Sequence, residues 1–501
     1  MTIKLQQKNP LSLTSDLLVV SAFQGVAKLV GAAAEVDATL EGALTQLITD
    51  EAFEGKLGQV VVFPTFGKLK AKKVALIGLG EKKNFTTDTA RVIGGKISKL
   101  AERVHATSLV TSLVGVGVGE LEASALAKAL VEGLLLADYR FHAFHGTKRK
   151  QDTAPARLQS VVLCEQDARV AKKAEEGIEL AKILAEATSY TRDLVNTPSS
   201  HMTPAHLADE ATKLASKSVN VVLMDKQEMK KQRMEAALAV GRGSIHEPVG
   251  VHLSYVPRGA KKRIILVGKA VTFDSGGLSL KPADSMMDMK IDMAGAAAVL
   301  GVFKAIQSLK LSVEVHGIFL AVENMPGGNA YRPGDVVTAK NGMTIEVLNT
   351  DAEGRVTLAD ALSYAVELEP DVIIDLATLT GAVIVALGDE VAGLFTNNEK
   401  LSEKLLASAK NAGEELWRLP LVASYNEHNK SQIADLKNIG HRGSAGSISA
   451  ALFLEPFVAG KPWAHLDIAG PAYVEKETRA DLPFGGTGYG VRLLVEYLQG
   501  M

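Results

Sequence analysis

The chain has 501 residues, 47% of them hydrophobic and 22% charged, with 55 Lys and Arg set against 57 Asp and Glu. Its length exceeds one ordinary domain and suits two or three, and its net charge of −2 excludes a chain-wide electrostatic footprint for nucleic acid or an anionic membrane. The single cysteine, Cys164, excludes an intrachain disulfide and a cysteine-based zinc cluster.

Met1 to Pro10 is polar, with scattered lysines and no apolar core segment, unlike a secretory signal. No apolar run approaches the ~20 residues that span a bilayer. These two observations predict a soluble, cytoplasmic protein without a membrane partner. Strands are predicted at Leu17–Val20, Val60–Phe63, Val74–Gly78 and Val161–Leu163, with helices over Asp88–Arg103 and Glu122–Ala137. That alternation reads as a βαβ-type N-terminal domain over 1–165. Cys164, closing an apolar run, reads as a small buried hydrophobe. Thr147 to Pro155 is polar and basic and reads as a surface loop.

From Asp167 to Asn196 the chain is rich in Ala, Glu, Lys and Leu and stops at Asn196-Thr197-Pro198, where proline breaks the pattern. It predicts a connecting helix within 166–198, and Met202-Thr203-Pro204 starts another helix. The remainder, 199–501, repeats the strand-then-helix rhythm. Strands are predicted at Ile264–Gly268, Val315–Val322, Val372–Leu376 and Ala464–Ile468, and helices at Ala294–Leu309 and Leu358–Glu369. The fold class is α/β: a smaller N-terminal α/β domain joined by a long helix to a C-terminal α/β domain with a mostly parallel central sheet.

Ligands of such sheets gather beyond the carboxyl ends of the strands. Lys269, Asp274, Asn324, Asn349, Asp351, Glu353 and Thr378 all follow predicted strands of what reads as one sheet. Asp274, Asp292, Asp351 and Glu353 bring four carboxylates to that region, and four such groups in one pocket repel each other and resist ionisation. Divalent cations remove the difficulty, and oxygen-rich sites suit Mg²⁺, Mn²⁺ and Zn²⁺. In an extended segment Asp351 and Glu353, two apart, face the same way. Each carboxylate also has a plainer reading: Asp292 as the N-cap of the helix that follows, Asp351 and Glu353 as caps for the next. Lys269 alone reads as a salt-bridge partner. The combination favours a functional site.

Several other signals lead nowhere. Gly268-Lys269 lacks the rest of a phosphate loop, and Gly78-Leu79-Gly80 lacks the third glycine of a dinucleotide fingerprint. No H-E-x-x-H pair occurs among the 11 histidines. His142 and His145 read as packed or surface residues, and Gly443 to Ser447 as a glycine-rich turn opening a helix from Ile448.

Asn349-Thr350-Asp351-Ala352-Glu353-Gly354-Arg355 resembles the signature heptapeptide of the leucyl aminopeptidases. Val267 to Lys269, Asp274 to Gly277, Lys281-Pro282, Met289 to Met293, Asn196 to Ser199, Glu323 to Pro326, Asp375 to Gly381 and Trp463 to Asp467 resemble the same family, in order, from about residue 190 onward. The resemblance implies a metal-dependent aminopeptidase that releases N-terminal residues, Leu and other apolar ones preferentially, by attack of a metal-bridged water. It implies that Lys269, Asp274, Asp292, Asp351 and Glu353 hold two divalent ions, Mn²⁺ or Zn²⁺ with Mg²⁺ or Co²⁺ as further candidates, Asp274 and Glu353 bridging them. Lys281 would stabilise the oxyanion, and Arg355 would hold a bicarbonate that supplies the missing general base. Met289, Thr378 and Gly381 would line the first side-chain pocket, while Asn349, Leu379 and Gly381 would contact the substrate backbone. The family's usual N-terminal domain is macro-domain-like and its usual assembly a homohexamer. Two rival functions remain at this stage: an additional DNA-binding or regulatory role, and metal-dependent phosphoryl transfer.

Overall fold

The strand-helix alternation read from the sequence is realised in the computed structural model, which describes residues 1–25, 28–146, 157–441 and 443–501. The polar Thr147–Pro155 segment falls outside the described residues apart from what flanks it. The chain divides into two units, Met1–Ala185 with Lys476–Pro483, and Glu186–Glu475 with Phe484–Met501.

In the first unit, strands β1 (Thr2–Gln6), β2 (Ser15–Ala22), β3 (Val60–Pro64), β4 (Ala71–Gly78), β5 (Ser108–Ser112) and β6 (Ser160–Cys164) form one sheet in the order β1-β6-β5-β2-β4-β3. All pairs are parallel except β3 with β4. Its buried strands read as continuous apolar runs, Leu17 to Val20 and Val74 to Ile77, as a parallel sheet covered on both faces requires. Helices α1 (Thr87–Arg103) and α2 (Ala123–Ala137) approach so closely that a Cβ at Gly133 would lie 1.9 Å from the Arg91 carbonyl oxygen. Between them Arg91 and Glu132, both fully buried, pair at 2.9 Å. Cys164 is buried as expected, and His142 is exposed.

Helix α3 (Ala168–Asn196) begins where Asp167 accepts from the backbone N–H groups of Arg169 and Val170. The division between the units falls inside this helix, after Ala185, and Lys476–Pro483 returns to the first unit. Nothing in the sequence pattern announced that return.

The second unit is built on β7 (Val219–Met224), β8 (Val249–Tyr255), β9 (Arg263–Gly268), β10 (Val271–Asp274), β11 (Glu314–Asn324), β12 (Val336–Thr338), β13 (Thr344–Glu346), β14 (Val372–Ala377), β15 (Ala392–Thr396), β16 (Leu416–Arg418), β17 (Leu436–Lys437) and β18 (Trp463–Asp467). The main sheet runs β16-β15-β18-β14-β9-β11-β8-β7, with β10 beside the end of β11. Its centre, β18-β14-β9-β11, is parallel, and antiparallel pairs lie toward both edges. Helix α4 (Ala294–Ile306) covers one face, where Phe303 and Val299 lie against Gly317. Helix α5 (Glu353–Glu367) covers the other, sharing a core with Ile265 and Val267.

Two sequence readings are corrected here. Asn349 to Glu353 follow β13, which belongs to a separate three-stranded sheet, β12-β13-β17, so the polar residues do not all extend one sheet. Helix α5 starts at Glu353, before the predicted Leu358, because its polar first turn lacks the apolar repeat by which helices are recognised. The Asp351 to Glu353 step is therefore a turn entering a helix, not an extended segment with both carboxylates on one side.

Candidate metal centre

Lys269, Asp274 and Thr378 are delivered by the carboxyl end of a strand or the residue after it, Asp292 by a 3-10 turn, and Glu353 and Arg355 by the first turn of α5. Strand β9 ends at Gly268, so Lys269 projects beyond the sheet while its backbone N–H still donates to Leu376 of the neighbouring strand. The first turn of α4 presses against this corner: a Cβ at Gly295 would lie 2.1 Å from the Leu376 carbonyl oxygen, so only glycine permits the approach. Asp274 ends β10 in register with Asn324 at the end of β11. Asp292 is not a helix N-cap, since Met293 takes that position. Ala352 likewise precedes α5, leaving Glu353 as its first residue.

The groups meet. Asp274, Asp351 and Glu353 each place one carboxylate oxygen within 4.8 Å of the others. Lys269 Nζ lies 2.6 Å from Asp292 Oδ1 and 2.9 Å from Glu353 Oε1, and donates to the Thr378 carbonyl at 2.9 Å. Lys281 Nζ bridges Asp274 Oδ2 at 2.9 Å and Asp351 Oδ1 at 2.5 Å. Asp274 Oδ1 accepts from Asn324 Nδ2 and the Gly276 N–H, and Thr378 Oγ1 donates to Asp292 Oδ1 at 2.8 Å. Lys269, Asp274, Asp292 and Glu353 are buried.

Burial pushes the Asp292 carboxyl well above its ordinary range, with Lys269 opposing. Burial and then the Glu353 charge raise Asp274, and burial raises Asp351. Burial works against the two ammonium groups, but Asp292, Glu353 and Asp274 hold Lys269 up, and Asp274 and Asp351 hold Lys281 up. The two lysines thus neutralise a carboxylate cluster in the way that hard cations would. Asp292 Oδ2 is buried without a hydrogen-bond partner, and such orphaned oxygens converging with others fit divalent ions.

Arg355 sits in the first turn of α5. Burial pulls its guanidinium down to about 10, partly offset by Glu353 and Asp467, and its Nε has no hydrogen-bond partner. Lys281, Asn349, Asp351 and Arg355 line a cavity of about 660 Å³ together with Leu280 and Ile439. Asn349 accepts from the Asp351 N–H through its side chain, and Asn438 holds its backbone carbonyl. Met289 opens a short 3-10 turn before Asp292. Thr378 and Leu379 occupy the turn after β14 and Gly381 opens the helix that follows, with open space where its side chain would be. Thus Thr378 joins the carboxylate cluster through hydrogen bonds, and Asn349 adjoins it. No hydrogen bond ties the Met289 side chain, Leu379 or Gly381 to the cluster. Tyr331, which donates to the Thr350 carbonyl, and Asn438 were missed, because each lies in a loop without motif or period.

Comparison with known proteins follows the same division. The model of the cytosol aminopeptidase family catalytic domain matches residues 189–495, and that of the family's N-terminal domain matches residues 19–148. The "Probable cytosol aminopeptidase" of Persephonella marina is 45% identical over 466 residues, covering 93% of this chain and 92% of that one. The protein of the same name from Aquifex aeolicus is 46% identical over 452 residues, covering 89% and 88%. Among solved structures, a mutant of tomato leucine aminopeptidase matches with a TM-score of 0.88 at 35% identity, covering 100% of this chain and 97% of that one. The bottromycin maturation enzyme BotP in complex with Mn matches with a TM-score of 0.85 at 36% identity, covering 97% and 99%.

Proposed function

The chain belongs to the cytosol aminopeptidase family of metal-dependent aminopeptidases, and we propose that its carboxylate cluster binds two divalent ions and removes N-terminal residues, Leu and other apolar ones preferentially, from peptides. The observation that carries this reading is the convergence of Asp274, Asp351 and Glu353 oxygens within 4.8 Å, beside an orphaned Asp292 oxygen.

Lys269, Asp274, Asp292, Asp351 and Glu353 would be the ligands, for Mn²⁺ or Zn²⁺. Bound there, the ions would supply an acidified water as nucleophile and polarise the scissile carbonyl. Lys281, cationic at the edge of the 660 Å³ cavity, is assigned to the oxyanion that develops on that carbonyl. Arg355, buried and with an Nε that has no hydrogen-bond partner, would hold a bicarbonate, which would supply the general base that the side chains lack. Asp292, together with one bound ion, would receive the free α-amino group, which restricts cleavage to the first peptide bond. Met289, Thr378 and Gly381 form the pocket for the first side chain, and the open space over Gly381 supports it. Asn349, Leu379 and Gly381 hold the substrate backbone.

We further read the active form as a cytoplasmic homohexamer, testable by light scattering against a 53.0 kDa subunit. Among the described residues no helix is long and apolar enough to cross a membrane. The decisive assay is hydrolysis of leucine p-nitroanilide with Mn²⁺, with a chelator, and by Lys281→Ala. Turnover should require metal and fall by ~10²–10³ or more in the variant. A folded, Mn²⁺-loaded protein that cleaves no amino-acid anilide or dipeptide refutes the reading.

A further inference from the structure

Beneath the proposed ligands lies a buried carboxylate for which the chemistry above has no use. Asp467 ends β18 in parallel register with Ala377 at the end of β14, and it is fully buried. Its oxygens collect four donors. Oδ1 accepts from the Leu379 N–H at 3.2 Å, the Thr380 N–H at 3.4 Å and the Ala469 N–H at 3.3 Å, and Oδ2 accepts from Thr380 Oγ1 at 2.7 Å. Three of those donors belong to the turn Thr378-Leu379-Thr380. On the other side of the same turn, the Thr378 carbonyl accepts from Lys269 Nζ and the Thr378 hydroxyl donates to Asp292.

A buried hydrogen-bond network lies alongside Asp467. His465, two residues before Asp467 and so on the same face of the strand, holds Asp375 at 2.6 Å through Nδ1, and Asp375 also accepts from Trp463 Nε1 at 2.7 Å. All three side chains are fully buried; burial raises the Asp467 carboxyl above its ordinary range, and the His465 charge opposes that rise.

We propose that Asp467 is a positioning residue: by clamping the 378–380 turn it holds the Thr378 carbonyl and hydroxyl against Lys269 and Asp292, and so sets both for metal binding. The physical reason lies in the lysine. An amine offers a metal its one lone pair, and the direction of that lone pair is set by where its remaining hydrogens donate. The Thr378 carbonyl is such an acceptor, and outer groups that orient ligands in this way typically govern metal affinity by 10–100-fold. Without Asp467, three N–H groups, two of them in the turn, and the Thr380 hydroxyl lose their acceptor, and the turn must rearrange to satisfy its own.

This inference rests on the metal-site reading, and the test separates the two. Mn²⁺ binding to the full-length, metal-stripped protein is measured by calorimetry for the wild type, Asp467→Asn, Thr380→Val, Thr380→Ser and Asp292→Ala. Asp467→Asn should weaken one ion about 10–100-fold and leave the other unchanged. Thr380→Val should do the same to a lesser degree, and Thr380→Ser, which keeps the hydroxyl, should bind as wild type. Thr380→Val decides the matter should Asp467→Asn not fold. Wild-type Mn²⁺ binding by a folded Thr380→Val or Asp467→Asn, while Asp292→Ala loses an ion, overturns the role of Asp467 and leaves the site standing. Wild-type binding by Asp292→Ala as well removes the site reading and this inference with it.

Discussion

Replacing Gly354 with alanine separates the stability of this protein from its chemistry. Gly354 is the second residue of α5, and a Cβ there would lie 2.3 Å from Lys269 Cε and 2.6 Å from Lys269 Nζ. Contacts below 3.4 Å are tight, so the amine end of Lys269 must withdraw by about 0.8–1.1 Å. The displaced atoms are the far end of a flexible side chain, which can bend away at little cost in packing. Alanine is also favoured over glycine in a helix by ~1 kcal/mol, which offsets some of the loss from lengthening the Lys269 pairs with Asp292 and Glu353. The metal-free variant should therefore unfold within ~2 kcal/mol of wild type. Its Mn²⁺ affinity should fall at least ~10-fold, about 1.4 kcal/mol, and kcat/KM for leucine p-nitroanilide about 10²-fold, the scale set by a 1 Å misplacement. Urea unfolding and calorimetric Mn²⁺ titration measure the two halves. Wild-type Mn²⁺ affinity and rate in a well-folded variant would refute the assignment of Lys269 as a ligand.

Three further outcomes follow from particular contacts. Glu132→Leu removes a fully buried partner of the fully buried Arg91, which keeps its pair with Asp88, and should cost ~3–5 kcal/mol in urea unfolding; the double variant Arg91→Met/Glu132→Leu should recover most of it. Burial raises Asp360 from 3.8 to about 7. The folded state therefore binds more protons than the unfolded chain between these values, and stability should decline as pH rises from about 4 to about 7, then level off; Asp360→Asn should flatten that part of the pH–stability curve. Mn²⁺ at 100 times its dissociation constant should stabilise the wild type by about 2.7 kcal/mol, and Asp274→Asn should abolish most of that gain without lowering the metal-free unfolding midpoint to a similar extent.

The parallel core of the catalytic unit was legible because Ile264 to Val267 and Ile373 to Leu376 are apolar without a break, as strands covered on both faces must be. The site was legible in its parts, since Lys269 and Thr378 follow those strands directly. Its assembly was not. Asp351 and Glu353 come from another sheet and a helix start, and their spacing of two suggested a pleat where the chain turns. A polar helix onset carries no apolar period, so neither spacing nor propensity revealed it. Asp467 shows the same limit: the sequence marks it as part of the Trp463–Asp467 stretch and of a predicted strand, but only the register of β18 against β14 places it under the 378–380 turn.

Charge arithmetic then explains why lysines stand among acids. Fully ionised, Asp274, Asp292, Asp351 and Glu353 would carry four negative charges, and Lys269 and Lys281 return two positive ones at contact distance. Without them, carboxylates whose oxygens converge within 4.8 Å would hold the turns apart or stay protonated. With them the cluster forms and keeps its oxygens aimed inward, at the cost of occupying two of the four acceptors with Lys281. Divalent ions and Lys281 therefore compete for Asp274 and Asp351. Lys281 also lines the adjoining cavity, and a cation displaced from those carboxylates can turn toward it, where the scissile carbonyl is proposed to lie. Lys281→Gln should accordingly bind Mn²⁺ as tightly as wild type or tighter while losing turnover; weaker Mn²⁺ binding in that variant would show that the lysine assists the ions instead of competing with them.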